Sequence, residues 1–148
     1  MRRFAVGTAV VTTLATAILA LGALTGPAFA VSHATCKKLT GTVAGSFTIT
    51  TCTPVSSLYK SATAPSSSLA SGKGTLTWSP SKKTTTVSGT VASKGRGGCA
   101  LGSNEYDLTG TVTGGTATYT KKGDTVKGRA CLSATGALSL VPGTSLSL

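Results

Sequence analysis

Four times the chain writes apolar, polar, Gly, polar, apolar: LTGTV at 39–43, VSGTV at 87–91, LTGTV at 108–112 and, more loosely, VKGRA at 126–130. Strict alternation with a period of two sends successive side chains to opposite faces of a β-strand. Leu39, Gly41 and Val43 therefore share one face while Thr40 and Thr42 share the other, and the same split holds for Val87, Gly89 and Val91, for Leu108, Gly110 and Val112, and for Val126, Gly128 and Ala130. The face expected to be buried reads large, glycine, large. A glycine inside a strand makes room for a bulky neighbour or lets the strand bend. Phe47, Trp78, Tyr106 and Tyr119 are the bulky groups on offer, each on the apolar side of its own alternation. The glycines at 41, 89, 110 and 128 are separated by 48, 21 and 18 positions, which excludes a solenoid of uniform repeats.

Extending the alternation gives strands at 39–44, 47–53, 74–79, 84–93, 105–113, 116–121, 126–132, 137–141 and 145–148. Gly45-Ser46, Gly114-Gly115 and Gly123-Asp124 suit tight hairpins, and Pro142-Gly143 suits a type II turn. Beyond residue 30 no 3.6-residue apolar stripe occurs and Glu and Met are nearly absent, so no helix is expected there. The sequence thus predicts an all-β fold, a small antiparallel barrel or a two-sheet sandwich of roughly eight or nine strands. One stretch does not alternate: PVSSLYKSATAPSSSLASGKG, 54–74, reads as a Ser, Ala and Pro-rich loop.

Such a chain has little to bury. Beyond residue 30, Leu, Ile, Val and Phe make up about 18%, below the rough 20% at which a charged chain begins to resemble a disordered one. Crosslinks are how a thin core survives. The N-terminus supplies the context for them: Arg2 and Arg3, a long apolar run, and the small-x-small triplet Ala28-Phe29-Ala30 after Pro27 have the form of an export signal over 1–30, with cleavage expected before Val31. A retained membrane anchor is the alternative for that run, and no other stretch is long enough to span a bilayer. In an oxidising compartment the 4 cysteines are best read as two disulfides. Cys36 and Cys52 flank the first expected hairpin and Cys99 precedes the strands that hold Cys131, which favours Cys36 with Cys52 and Cys99 with Cys131. Zinc would need close ligand pairs, and these spacings provide none. The expected organisation is a leader at 1–30, an N-terminal segment at 31–38 and one β-domain at 39–148.

Catalytic groups are scarce. His33 is the single histidine and Glu105, Asp107 and Asp124 are the 3 acids, too few to assemble converging acid–base pairs or a nucleophile with its base. Glu105 and Asp107 lie two apart on one strand face, where solvated strand-start residues are the simplest reading. No enzyme activity and no cofactor are expected. Cleavage before Val31 would place Val31, Ser32 and His33 at a free terminus, whose amine, two amide nitrogens and imidazole suit square-planar Cu(II) or Ni(II).

Charge says more. Lys and Arg number 14 against 3 acids, a net charge of +11, and loss of Arg2 and Arg3 with the leader leaves about +9. In a simple meander Lys37, Lys38, Lys73, Lys94, Arg96, Lys121 and Lys122 would gather at one pole and Lys82 and Lys83 at the other, which biases encounter toward polyanions. Nucleic acid is not the expected polyanion, because a strand platform for it needs exposed aromatics among the basic residues.

CKKLTGTVAGSFTITTCTP, GTLTWS, EYDLTGTVTGG, GDTVKGRACLS and the closing LVPGTSLSL resemble small secreted proteins of actinobacteria, four-cysteine all-β chains of uncharacterised activity. The resemblance covers Cys36 to Leu148 and implies an exported, disulfide-containing β-domain without assigning a site. In size, export and disulfide count the chain is also similar to chromoprotein carriers of the neocarzinostatin kind, an analogy of architecture alone. The leading expectation is a monomeric, secreted, non-enzymatic basic β-domain that adheres to an anionic cell-envelope polymer or an extracellular protein. Its alternatives are a carrier of a small apolar ligand and a protease inhibitor or antagonist scaffold presenting the loop GRGGCALGSN at 95–104.

Overall fold

The computed structural model describes residues 34–53 and 56–148. The expected leader at 1–30 and Val31, Ser32 and His33, the expected metal-binding terminus, lie outside the described residues. Nine strands follow in order, β1 (Thr35–Thr42), β2 (Ser46–Thr53), β3 (Tyr59–Pro65), β4 (Lys73–Pro80), β5 (Thr84–Ser93), β6 (Ser103–Gly115), β7 (Thr125–Ser133), β8 (Ala137–Leu140) and β9 (Leu146–Ser147), with one short helix, α1 (Ser67–Ser71), between β3 and β4. Each strand from β1 to β7 pairs antiparallel with the next, and β8 pairs back onto β1, closing an eight-strand barrel to which β9 is added. β8 and β9 share the place between β1 and β7. β8 occupies one end of it and β9 the other, and the Pro142-Gly143 turn interrupts them. Closure leaves no long unpaired edge, and of the two architectures expected from the sequence the barrel is the one formed.

The alternation does most of what the repeats imply, but Val43, just past the end of β1, and Val91, near the open end of β5, are exposed at 49% and 37% rather than buried. Val87, Gly89 and Val91 of β5 stand opposite Val112, Gly110 and Leu108 of β6, so the two pentapeptides pair in register on the inner face. On the outer face hydroxyls meet across strands, Thr48 with Thr63 at 3.0 Å, Thr75 with Thr86 at 3.3 Å and Thr90 with Thr109 at 3.0 Å. Such pairs stabilise a sheet by a few tenths of a kcal/mol to about 1 kcal/mol each. Inside, a single cluster runs from Cys36, Leu39, Phe47 and Ile49 to Trp78, Leu108, Leu138 and Leu148.

The disulfides join Cys36 to Cys52 and Cys99 to Cys131. The first bridges directly opposed residues of the β1–β2 hairpin and belongs to the barrel core. The second ties the β5–β6 connection to β7 and builds a small outer core with Val141.

Four expectations change. The 54–74 stretch is no structureless loop, because β3 and α1 lie within it. β3 escaped notice because its inward residues after Tyr59 are Ala62 and Ala64, and an irregularity between Tyr59 and Ser61 breaks the alternation. α1 has five residues, too few to show a stripe. The expected strand at 116–121 is absent: the amides of Thr116 and Ala117 both donate to the Thr84 carbonyl, and the segment folds over the barrel end instead of pairing. Finally, β1 begins at Thr35, so Cys36, Lys37 and Lys38 belong to the barrel wall.

Candidate functional sites: a basic end and an apolar interior

An antiparallel barrel sends alternate connections to the same end. The β4–β5 turn with Lys82 and Lys83 and the β6–β7 connection with Lys121 and Lys122 therefore share one end, to which the start of β1 brings Lys37 and Lys38 and the start of β3 brings Lys60. All seven lysines are exposed. Lys73, Lys94 and Arg96 fall at the opposite end, with α1. The seven residues expected to share a pole are thus divided, and Lys82 and Lys83 join the larger group. The cause is β3, which adds one strand between Cys52 and Lys73 and so reverses every later turn relative to β1, while the missing strand at 116–121 reverses the parity again. The acids are unequally shared as well. Asp124 stands at the lysine end, its carboxylate accepting the Lys121 amide at 2.6 Å. Glu105 and Asp107 stand toward the helix end, where Lys94 pairs with Asp107 at 3.2 Å.

The lysine end is firmly built. Tyr59 meets Trp78 edge-on at 5.5 Å and Tyr119 at 5.0 Å. Trp78 Nε1 donates to Thr85 Oγ1 at 2.8 Å, and that hydroxyl lies 2.7 Å from Thr120 Oγ1. The Tyr59 hydroxyl is bonded to both the hydroxyl and the amide of Thr118, which draws its pKa below the usual tyrosine value. Beside it a crevice of about 400 Å³ is lined by Lys37, Thr51, Thr53, Ser56 and Lys60. An aromatic plug thus supports a group of cations, and two of these border a recess whose surface is mostly carbon.

The barrel interior is incompletely filled. Phe47 is the only one of the four aromatic candidates set against a strand glycine, packing on Gly41. Gly128 receives Leu146. Gly89 and Gly110 receive nothing: a Cβ on either would strike the other's Cα at 2.7 to 2.8 Å and a neighbouring carbonyl, so the two backbones crowd each other and no side chain enters. Around them lies a cavity of about 80 Å³ whose walls are carbon from Leu39, Phe47, Leu76, Val87, Leu108 and Val126. The residues that close it toward α1, Ala64, Ser68 and Leu69, come from the stretch read as a loop.

Glu105 is buried at 2% exposure rather than solvated. The outer core built on Cys99 and Cys131 covers the outward face of β6 at that point. Its Oε2 accepts the Gly98 amide at 2.6 Å, and its Oε1 accepts Arg129 Nε at 2.6 Å and pairs with Arg129 Nη2 at 2.6 Å. The Gly98 amide above all, then Arg129, holds its carboxyl below the usual carboxylate range against the opposing effect of burial. This pins the 95–104 loop, from which Leu101 projects at 82% exposure. Among the described residues no three His, Cys, Asp or Glu side chains converge on a point that would hold a metal ion, and no helix is long and apolar enough to cross a membrane.

No protein-family model, no curated protein and no solved structure matches the chain.

Proposed function

We propose that the protein is a secreted, non-enzymatic, basic β-domain of the kind resembled by small four-cysteine actinobacterial proteins, retained at the cell envelope by an anionic polymer bound across its lysine end. The single observation that supports this reading is the gathering of Lys37, Lys38, Lys60, Lys82, Lys83, Lys121 and Lys122 at one end of a closed barrel. Clustered like charge on one face is repulsive by itself and is offset when a polyanion spans several cations at once, releasing counterions. A polymer of phosphodiester or carboxylate groups fits these exposed point charges, since Lys binds anions without the fixed fork geometry that Arg imposes.

Co-sedimentation of the exported protein with purified cell walls tests the proposal. Retention is expected at low ionic strength and release at about 1 M salt, where the screening length shrinks to about 3 Å. Replacing Lys82, Lys83, Lys121 and Lys122 by Gln should abolish most of the retention, while Lys94→Gln with Arg96→Gln should leave it nearly intact. Failure to sediment at low salt, or equal loss in both variants, overturns the reading.

A further inference from the structure

We propose that the barrel interior is a binding site for the end of an unbranched alkyl chain, entered beneath α1. The site does not involve the lysine group, and it stands or falls independently of envelope binding. Its walls are almost wholly aliphatic and aromatic carbon, which gives water few partners there and favours an apolar occupant. β5 and β6 cannot fill it at their glycines. At Gly89 and Gly110 any side chain would collide with the facing strand, so the space is fixed by the backbone rather than left by a small residue that a larger one would replace.

Shape selects the occupant. The lining runs the length of the barrel, from Leu69 and Gly72 at the helix end to Leu146 and Leu148, which lie beside the start of β1 at the lysine end. A volume of about 80 Å³ drawn out over that length is narrow, and it is about half of a ~150 Å³ cavity that accepts benzene. A ring does not fit and a single file of methylenes does. The helix end is covered by a short segment anchored at Ser66, whose amide donates to the Gly45 carbonyl at 2.9 Å and whose hydroxyl donates to the Thr42 carbonyl at 2.6 Å. α1 buries none of its residues fully, its first turn has no side-chain cap, and the Gly72 carbonyl accepts one hydrogen bond from Gly89 at 2.7 Å where the segment crosses β5. Leu69 lies over the opening, and Val91, exposed at 37%, forms its rim. A polar head group would remain outside while the tail enters.

The experiment is a calorimetric titration of the secreted protein with primary n-alcohols from butanol to decanol, repeated with methyl-labelled protein to locate the contacts. Affinity should rise about fourfold per methylene, the ratio that follows from ~0.8 kcal/mol per buried CH₂, and then flatten once the enclosed length is full. Methyl shifts should concentrate on Leu69, Val87, Val91 and Leu108. Ala64→Leu, which fills the cavity from β3, should abolish binding and keep or raise the melting temperature. Should that variant not fold, Leu69→Ala, which widens the opening, must lengthen the chain at which affinity flattens. A monoacyl phospholipid below its micellar concentration forms the second arm: uptake there assigns the tail to a lipid, and uptake of alcohols alone assigns it to a free small ligand. Absence of binding across the series, shifts confined to the outer wall, or affinity indifferent to both substitutions would overturn the proposal.

Discussion

Single residues decide where this barrel is tight and where it is open. Gly89 and Gly110 face each other with no room for a methyl group on either, because the obstacle is backbone rather than a movable side chain. Gly89→Ala is expected to destabilise by about 3 kcal/mol, the upper part of the range for forced overpacking, and Gly128→Ala by less, since it meets the flexible tip of Leu146. Urea unfolding of the two variants checks that order. Glu105 carries a pH dependence of its own. A carboxyl whose folded pKa is depressed contributes stability that is complete above its unfolded pKa and is lost as pH falls through the lower folded value. Exchange of the Gly98 amide should therefore stay slow through the ordinary carboxylate range and quicken only below it, whereas in Glu105→Gln it should be fast and independent of pH-linked charge at that site. A Gly98 amide already exchanging freely at neutral pH would show that the carboxylate does not hold the loop.

Elements show how a thin core is closed. β3 contributes Ala62 and Ala64 opposite Trp78 and Phe47, so small residues lie beside two buried rings and the wall stays thin where the rings are thick. The same economy hid β3 in the sequence, because alanine barely registers in a hydrophobic alternation that an irregular register has already broken. The disulfides restrain different things. Cys36–Cys52 spans a separation of 16 residues between strands that the hairpin already pairs, and Cys99–Cys131 spans 32 and holds a connection with little apolar surface. Loop-closure entropy assigns each about 3 to 4 kcal/mol, the longer separation giving more. Removal of Cys99 and Cys131 as a pair should cost at least as much, in denaturant unfolding, as removal of Cys36 and Cys52. The opposite order would mean that packing of Cys36 in the barrel core outweighs restriction of the unfolded chain.

At the scale of the whole molecule the protein is a polarised barrel. Seven lysines and an aromatic plug stand at one end, and a short helix covers an apolar opening at the other. The two ends can serve different partners because the barrel wall stands between them, with paired Thr hydroxyls over β2 to β6 and the charged side chains of Asp107, Lys127 and Arg129 on β6 and β7. That wall was legible from the start. Period-two alternation in Leu39–Gly41, Val87–Gly89 and Leu108–Val112 gave the inward face, while Val43 beyond the end of β1 and Val91 near the end of β5 are exposed at 49% and 37%, and the favoured disulfide pairing followed from which hairpins the cysteines flank. The lost strand at 116–121, the strand parity and the state of Glu105 were not legible, for a common reason. Each depends on what packs against a residue from far along the chain: the outer core over Glu105, the turn of 116–121 over the barrel end, and the insertion of β3 beside β2.

Local sequence, acting through the geometry of the extended backbone, thus determined an all-β, twice-crosslinked body with glycines on its inner face. Tertiary structure alone decided that the sheet closes on itself, that a hidden strand redistributes the lysines between two ends, and that two glycines meet to leave a space. Register and closure are set by contacts between strands distant in sequence, and a single added strand reverses the placement of every turn after it.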